Sequence, residues 1–260
     1  LFRSVVATKV IISQHIEAIG RAALRRCIYK ECSKQSFQSI GEMYAAEWRA
    51  RGLHFMLAPG VNIYRASKGA RNFEYYGEDP VLTSQMIVPF IQAVQKGGVI
   101  ATVKHFAGND QEFDRYTVST EVSRRALHEI YLRPFRAAVE EAGVKAVMTG
   151  YNPLNGTYCT ENKWLIDMLK KDWGFKGMLM SDWACTYSAD KAANNGLDLE
   201  MGSKDWFNRH VILRANATPA DMADWMNEAH AGSKPFSRAP PPGKCLVVTA
   251  TPSVVTPLSL

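Results

Sequence analysis

No apolar run in the sequence is long enough to cross a bilayer, so a membrane-spanning helix is excluded as its organising element. Cysteine is scarce. Cys27, Cys32, Cys159, Cys185 and Cys245 make an odd number, and no two pairs share the spacing of a zinc site or a disulfide framework. They are expected to be free thiols packed as small hydrophobes, which favours a reducing compartment such as the cytoplasm over an exported setting. No basic run is interleaved with aromatics, so the net charge of +6 is spread over amphipathic segments. Neither nucleic acid nor a membrane is an expected partner. The acidic stretch from Asn72 to Asp79 lacks the alternating oxygen ligands of a calcium loop, and no metal or other cofactor is expected. The first residues, Leu1-Phe2-Arg3-Ser4, include neither an initiator Met nor a signal peptide. The expectation is a chain that begins inside a larger reading frame.

What is present is a rhythm. Short apolar or β-branched runs alternate with helical patterns, which predicts parallel βα units. A helix is expected over 37–51, with Phe37, Ile40, Tyr44 and Trp48 on one face, and a strand over 53–58. Thr83 is a candidate cap for the next helix, whose inner stripe is Met86, Ile87, Phe90, Ile91 and Val94, and Gly97-Gly98 ends it. Further strands are expected over 99–103, 144–149, 177–180 and 197–201, with helices over 124–142 and 162–173. Polar or aromatic residues follow the strands repeatedly: Lys104 and His105, Tyr151, and Ser181-Asp182. In parallel α/β barrels that edge carries the active site. Residues 1–35 have an amphipathic stretch without βα rhythm and stay unassigned. Residues 203–260 form a C-terminal segment, with a helix over 218–230 started by Thr218 and Pro219 and a tail from Ser233 rich in Pro and Ser.

Four segments carry chemistry: Arg71-Asn72-Phe73-Glu74-Tyr75, Lys104-His105-Phe106-Ala107-Gly108-Asn109-Asp110-Gln111-Glu112, Met148-Thr149-Gly150-Tyr151-Asn152 and Met180-Ser181-Asp182-Trp183. With the phrase from Leu57 to Arg65 upstream and Gly196 to Gly202 downstream, their order resembles glycoside hydrolase family 3 over about residues 36–202. The resemblance implies an α/β fold, a (β/α)8 TIM-like barrel that is incomplete here. It implies a retaining β-glucosidase acting on terminal β-D-glucosyl residues, with Asp182 as nucleophile. The physics agrees, since a carboxylate at a strand end can attack an anomeric carbon if it stays ionised against the sugar. Arg71, Lys104, His105, Arg115, Met148, Tyr151 and Trp183 correspond to the family's substrate-binding positions. Core packing is an equal reading for Met148. Lys104 and His105 are neighbours on a strand, so a local distortion is needed for both to face one sugar. The residues from Asn72 to Asp79 are taken as structural, fixing Arg71. Ten Tyr and six Trp suit sugar stacking and suit any core equally.

The sequence departs from the family pattern in three places. No Asp-Gly-Pro motif for the distal glycone hydroxyls occurs in residues 1–35. No acid/base is identified, because in the β-glucosidase branch it resides in a C-terminal sandwich domain, a missing partner here. The loop Gly108-Asn109-Asp110-Gln111 differs from the His–Asp dyad of the N-acetylglucosaminidase branch, although Asp110, Glu112 or Asp114 could serve in its place. The expected substrate is a β-glucoside or short oligosaccharide. The alternatives are a non-catalytic sugar-binding remnant and a β-xylosidase-type specificity.

Overall fold

A computed structural model describes residues 33–203 and 205–207 of the chain. The amphipathic N-terminal stretch, the helix over 218–230, the Pro/Ser-rich tail, Cys27, Cys32 and Cys245 lie outside the described residues.

Helix α1, Lys34–Ala50, starts where the Ser33 hydroxyl accepts from Ser36 N at 3.2 Å. Its apolar face carries Phe37, Ile40, Ala45 and Trp48. The Trp48 indole donates to Phe55 O at 3.0 Å, which ties the helix to strand β1, Phe55–Met56. Helix α2, Pro80–Lys96, is capped by Asp79, whose carboxylate accepts from Val81 N at 2.7 Å and Leu82 N at 3.1 Å. Thr83, the expected cap, instead lies buried in the first turn. The physical reason is upstream: Pro80 fixes the helical φ of the first position, and an Asp before it suits the orphan N–H groups better than a Thr three residues later.

Strands β2 (Ile100–Phe106), β3 (Ala146–Thr149), β6 (Met178–Trp183) and β7 (Leu199–Met201) join β1 in one sheet, in the order β1-β2-β3-β6-β7. Every pairing is parallel. Between β3 and β6 the chain makes a small antiparallel hairpin, β4 (Pro153–Leu154) and β5 (Thr157–Tyr158). The five parallel strands are the curved half of a TIM-like barrel, and the strands expected from the sequence are those observed.

Both expected long helices are interrupted. The first consists of α3 (Arg124–Ala126), a π-turn (Leu127–Tyr131) and α4 (Arg133–Glu140). Pro134 has no N–H to give to a continuous ladder, and Leu132 N reaches back five residues to Leu127 O at 2.8 Å. The second begins as α5 (Lys163–Asp167), capped by Asn162, and widens into a π-turn at Met168–Asp172. Helix α6 (Ala189–Asn195) ends at Gly196, whose φ of 106° only glycine adopts readily.

Alternation along the strands sorts the two faces. Val103, Val147 and Leu179 point to the helices and join Ile91, Phe106 and Phe135 in the main core. Ala146, Met148, Met180 and Met201 form a second cluster on the inner face of the sheet. The main core fixes the strand ends that carry the polar residues described next.

Candidate active site

The register of the sheet breaks twice, both times at the C-terminal edge. Val103 pairs with Val147 and Phe106 with Thr149, so β2 carries one extra residue at Lys104–His105. Met180 pairs with Leu199 and Trp183 with Met201, so β6 carries one extra residue at Ser181–Asp182. Bulges of this kind re-aim side chains that strict alternation would send to opposite faces. The sequence called for such a distortion at Lys104 and His105, and the peptide bond between these two residues is also cis. The second bulge is held by Ser181, whose hydroxyl donates to Asp182 O at 2.8 Å and accepts from Met201 N at 2.8 Å.

Asp182 is buried at the end of β6. Its Oδ1 accepts from the Tyr151 hydroxyl at 2.9 Å. His105 Nε2 stands 3.3 Å from Oδ2, but not in the geometry of a hydrogen bond, and Oδ2 accepts none among the described residues. Burial pushes the carboxyl above the usual range, opposed by the Tyr151 hydrogen bond and by the charges of Arg71, Lys104 and Arg115. The imidazole of His105 is the reverse case. Burial, then Arg71, Lys104 and Arg115, hold it well below its ordinary value, so it is neutral at physiological pH. Its Nδ1 lies 3.2 Å from the Tyr75 hydroxyl and 3.3 Å from Asn62 Oδ1; an amide oxygen can only accept, so the ring proton is assigned to Nδ1, which leaves the Nε2 lone pair toward the carboxylate. Asn62 clamps the His105 backbone in both directions, accepting from its N–H at 2.8 Å and donating to its carbonyl at 3.1 Å.

Arg71 and Lys104 meet on one carboxylate. Glu74 accepts from Arg71 Nε on one oxygen, and its other oxygen lies 3.0 Å from Lys104 Nζ. Those two cations hold Glu74 below its ordinary range in spite of its burial. The short 3-10 turn at Asn72–Glu74 sets this arrangement, and Tyr64 fastens the turn by donating to the Asn72 and Tyr75 carbonyls. Arg115 pairs with Glu112 and lays its guanidinium over the Tyr151 ring, 3.9 Å from the centroid. Trp183 follows Asp182 with 39 % of its surface exposed. Met148 is brought into the apolar inner cluster with Met180 and Met201.

Arg71, Lys104, His105, Arg115, Tyr151 and Asp182 thus share one site. Sequence reasoning assigned Glu74 and Tyr75 only to fixing Arg71, and it gave Asn62 no role. Asn62 lies beyond β1, where the strand-end rule that selected Lys104 could have found it. Of the three acidic residues weighed as proton donors, Glu112 is engaged by Arg115 and Asp114 forms an exposed turn. Asp110 is pushed up to about 7 by burial, with Arg65 and Asn62 opposing. Among the described residues no group of three His, Cys, Asp or Glu could hold a metal ion.

Three comparisons bear on this arrangement. The family description "Glycosyl hydrolase family 3 N terminal domain" matches residues 16–203. A beta-glucosidase of Rhizobium radiobacter is 50% identical over 165 residues, which are 63% of this chain and 20% of that protein. Probable beta-glucosidase J of Aspergillus fumigatus is 47% identical over 191 residues, 73% of this chain and 22% of that protein. Among solved structures, the beta-glucosidase of Kluyveromyces marxianus in complex with glucose superposes with a TM-score of 0.70 at 38% identity, covering 74% of this chain and 24% of that one. Beta-glucosidase 3B of Thermotoga neapolitana in complex with glucose gives 0.64 at 38% identity, covering 77% and 27%. The chain spans about a fifth of the length of the curated relatives it matches.

Proposed function

We propose, from the premise that the chain belongs to glycosyl hydrolase family 3, that it carries the nucleophilic half of a retaining β-glucosidase with Asp182 as nucleophile. The observation that carries this reading is the asymmetric setting of one buried carboxylate. Oδ1 is held by Tyr151 while Oδ2 accepts no hydrogen bond among the described residues. Oδ2 is therefore the oxygen with a lone pair to give. Its attack on the anomeric carbon forms a glucosyl ester, and the bond to the leaving oxygen breaks with its electron pair. Attack of water on the same carbon then frees the carboxylate and restores the anomeric configuration. Arg71, Lys104, His105 and Arg115 surround the glycone, where cationic donors and a neutral imidazole suit vicinal hydroxyls. The charges of Arg71, Lys104 and Arg115 also favour the ionised nucleophile.

The named relatives support a β-linked glucose as the sugar. The proton donor for a poor leaving group is assigned, by the family resemblance, to a second domain; here Glu112 is paired with Arg115 and Asp114 lies exposed in a turn. An activated aryl leaving group such as dinitrophenolate needs no such donor. Mixing the chain with dinitrophenyl 2-deoxy-2-fluoro-β-glucoside should release a burst of one equivalent of dinitrophenolate, and Asp182→Asn should show none. A full burst from Asp182→Asn would remove the residue from the role.

A further inference from the structure

Lys104, His105 and Asp182 are buried and Arg71 and Arg115 partly so, which means the leaving group of any bound glucoside must cross the rim of the site to reach solvent. One part of that rim is built as a wall. Tyr116 is 43 % exposed, yet its ring packs edge-on against Tyr151, with centroids 5.0 Å apart and planes at 71°. The Arg115 guanidinium sits against both rings, 5.3 Å from the Tyr116 centroid and 3.9 Å from that of Tyr151. Tyr151 in turn holds the nucleophile through its hydroxyl and accepts from the Tyr187 hydroxyl on its backbone carbonyl at 3.1 Å. Tyr187 is stacked on Tyr158 at 3.5 Å. A continuous aromatic path therefore runs from Asp182 to solvent, and Tyr116 is its exposed end.

The loop that presents Tyr116 is fixed. Asp114, at a φ of 47°, accepts on its carbonyl from Thr117 N at 2.8 Å and Val118 N at 2.9 Å. Thr120 anchors the end of the loop, donating from its hydroxyl to Gly108 O at 2.8 Å and from its N–H to Pro153 O at 2.9 Å. A ring held this firmly loses little freedom when a ligand stacks on it.

We infer that Tyr116 is a specificity-determining residue for the leaving group, a platform on which an aryl ring or a second pyranose stacks. This rests on the proposed glucosidase reading and deepens it. Trp183, a substrate-binding position implied by the resemblance, stands at the end of β6 instead, so the two aromatics come from different elements. A ring with a flat apolar face is the chemistry Tyr116 recognises, and a leaving group without a ring gains nothing from it.

Two labelling reagents separate these statements. Dinitrophenyl 2-deoxy-2-fluoro-β-glucoside and 2-deoxy-2-fluoro-β-glucosyl fluoride deliver the same glycone to the same carboxylate, but only the first carries a ring on the departing side. The readout is the ratio of their second-order labelling constants, dinitrophenyl over fluoride, in the 260-residue chain. Tyr116→Ala should lower that ratio about fivefold, the factor an aromatic contact of ordinary strength gives, and Tyr116→Phe should restore it. A ratio that stays within about twofold of the wild-type value in Tyr116→Ala, while both reagents label, would overturn the platform and leave the glucosidase reading standing. Failure of both reagents on the wild-type chain would overturn the reading and the platform together.

Discussion

At Asp182 two physical effects oppose each other, and their balance sets when the residue can act. Burial raises the carboxyl, while the Tyr151 hydroxyl and three cations lower it, with burial the larger. The acid limb of the labelling rate should therefore lie above the ordinary carboxylate range. Tyr151→Phe removes one of the lowering contacts, so the limb should move to higher pH, with a slower maximal rate. A pH profile of the burst rate checks this, and an unmoved limb would show that the hydrogen bond does not act on the carboxylate. Asp110 permits a second test, on stability. Its folded value of about 7 lies above the unfolded value of about 3.9, so the folded state holds the extra proton between these values. That contribution is fully present below about pH 4 and is lost as pH rises through about 7. Relative to the wild type, Asp110→Asn should gain about 1–3 kcal/mol between pH 5 and pH 8. Urea titrations at the two pH values measure it, and a pH-independent difference would refute it. At this scale the sequence was informative wherever a residue had its own chemical signature after a strand, as Asp182, Lys104 and Tyr151 did. Glu74 and Asn62 were harder to see because they act through partners that only folding brings near.

The elements follow from patterns the sequence displays, and their irregularities do not. Alternation and helical stripes locate all five strands of the sheet and both ends of α1 and α2 within a few residues. The two bulges leave no mark in composition, since the extra residue is defined only against the neighbouring strand. The π-turn before α4 had a visible cause in Pro134, whereas the one after α5 has no comparable residue. A polar clamp joins that second turn to the sheet. Lys170 lies 2.8 Å from both carboxylate oxygens of Asp198, and Asp198 Oδ2 also accepts from Leu179 N at 2.8 Å. Asp198→Ala leaves a buried N–H and a half-buried ammonium without these partners. It should cost about 2–4 kcal/mol in chemical denaturation. A loss below about 0.5 kcal/mol, the size expected of a change at an unimportant surface site, would show that the clamp is replaceable.

As a whole, the described residues are half of a barrel wall whose C-terminal edge gathers one nucleophile candidate, one neutral imidazole and three cations. The half-barrel was legible in the sequence from its five βα repeats, and the family from the order of four segments. The wall positions Asp182, and the distinctive claim is that this carboxylate becomes covalently bonded to the sugar. The most direct measurement is peptide mapping by mass spectrometry of the 260-residue chain after reaction with dinitrophenyl 2-deoxy-2-fluoro-β-glucoside. The account predicts a single fluoroglucosyl group on the peptide containing Asp182, with fragmentation placing it on that side chain. A label on Asp110 or Glu112, or no label on a folded chain, would contradict it.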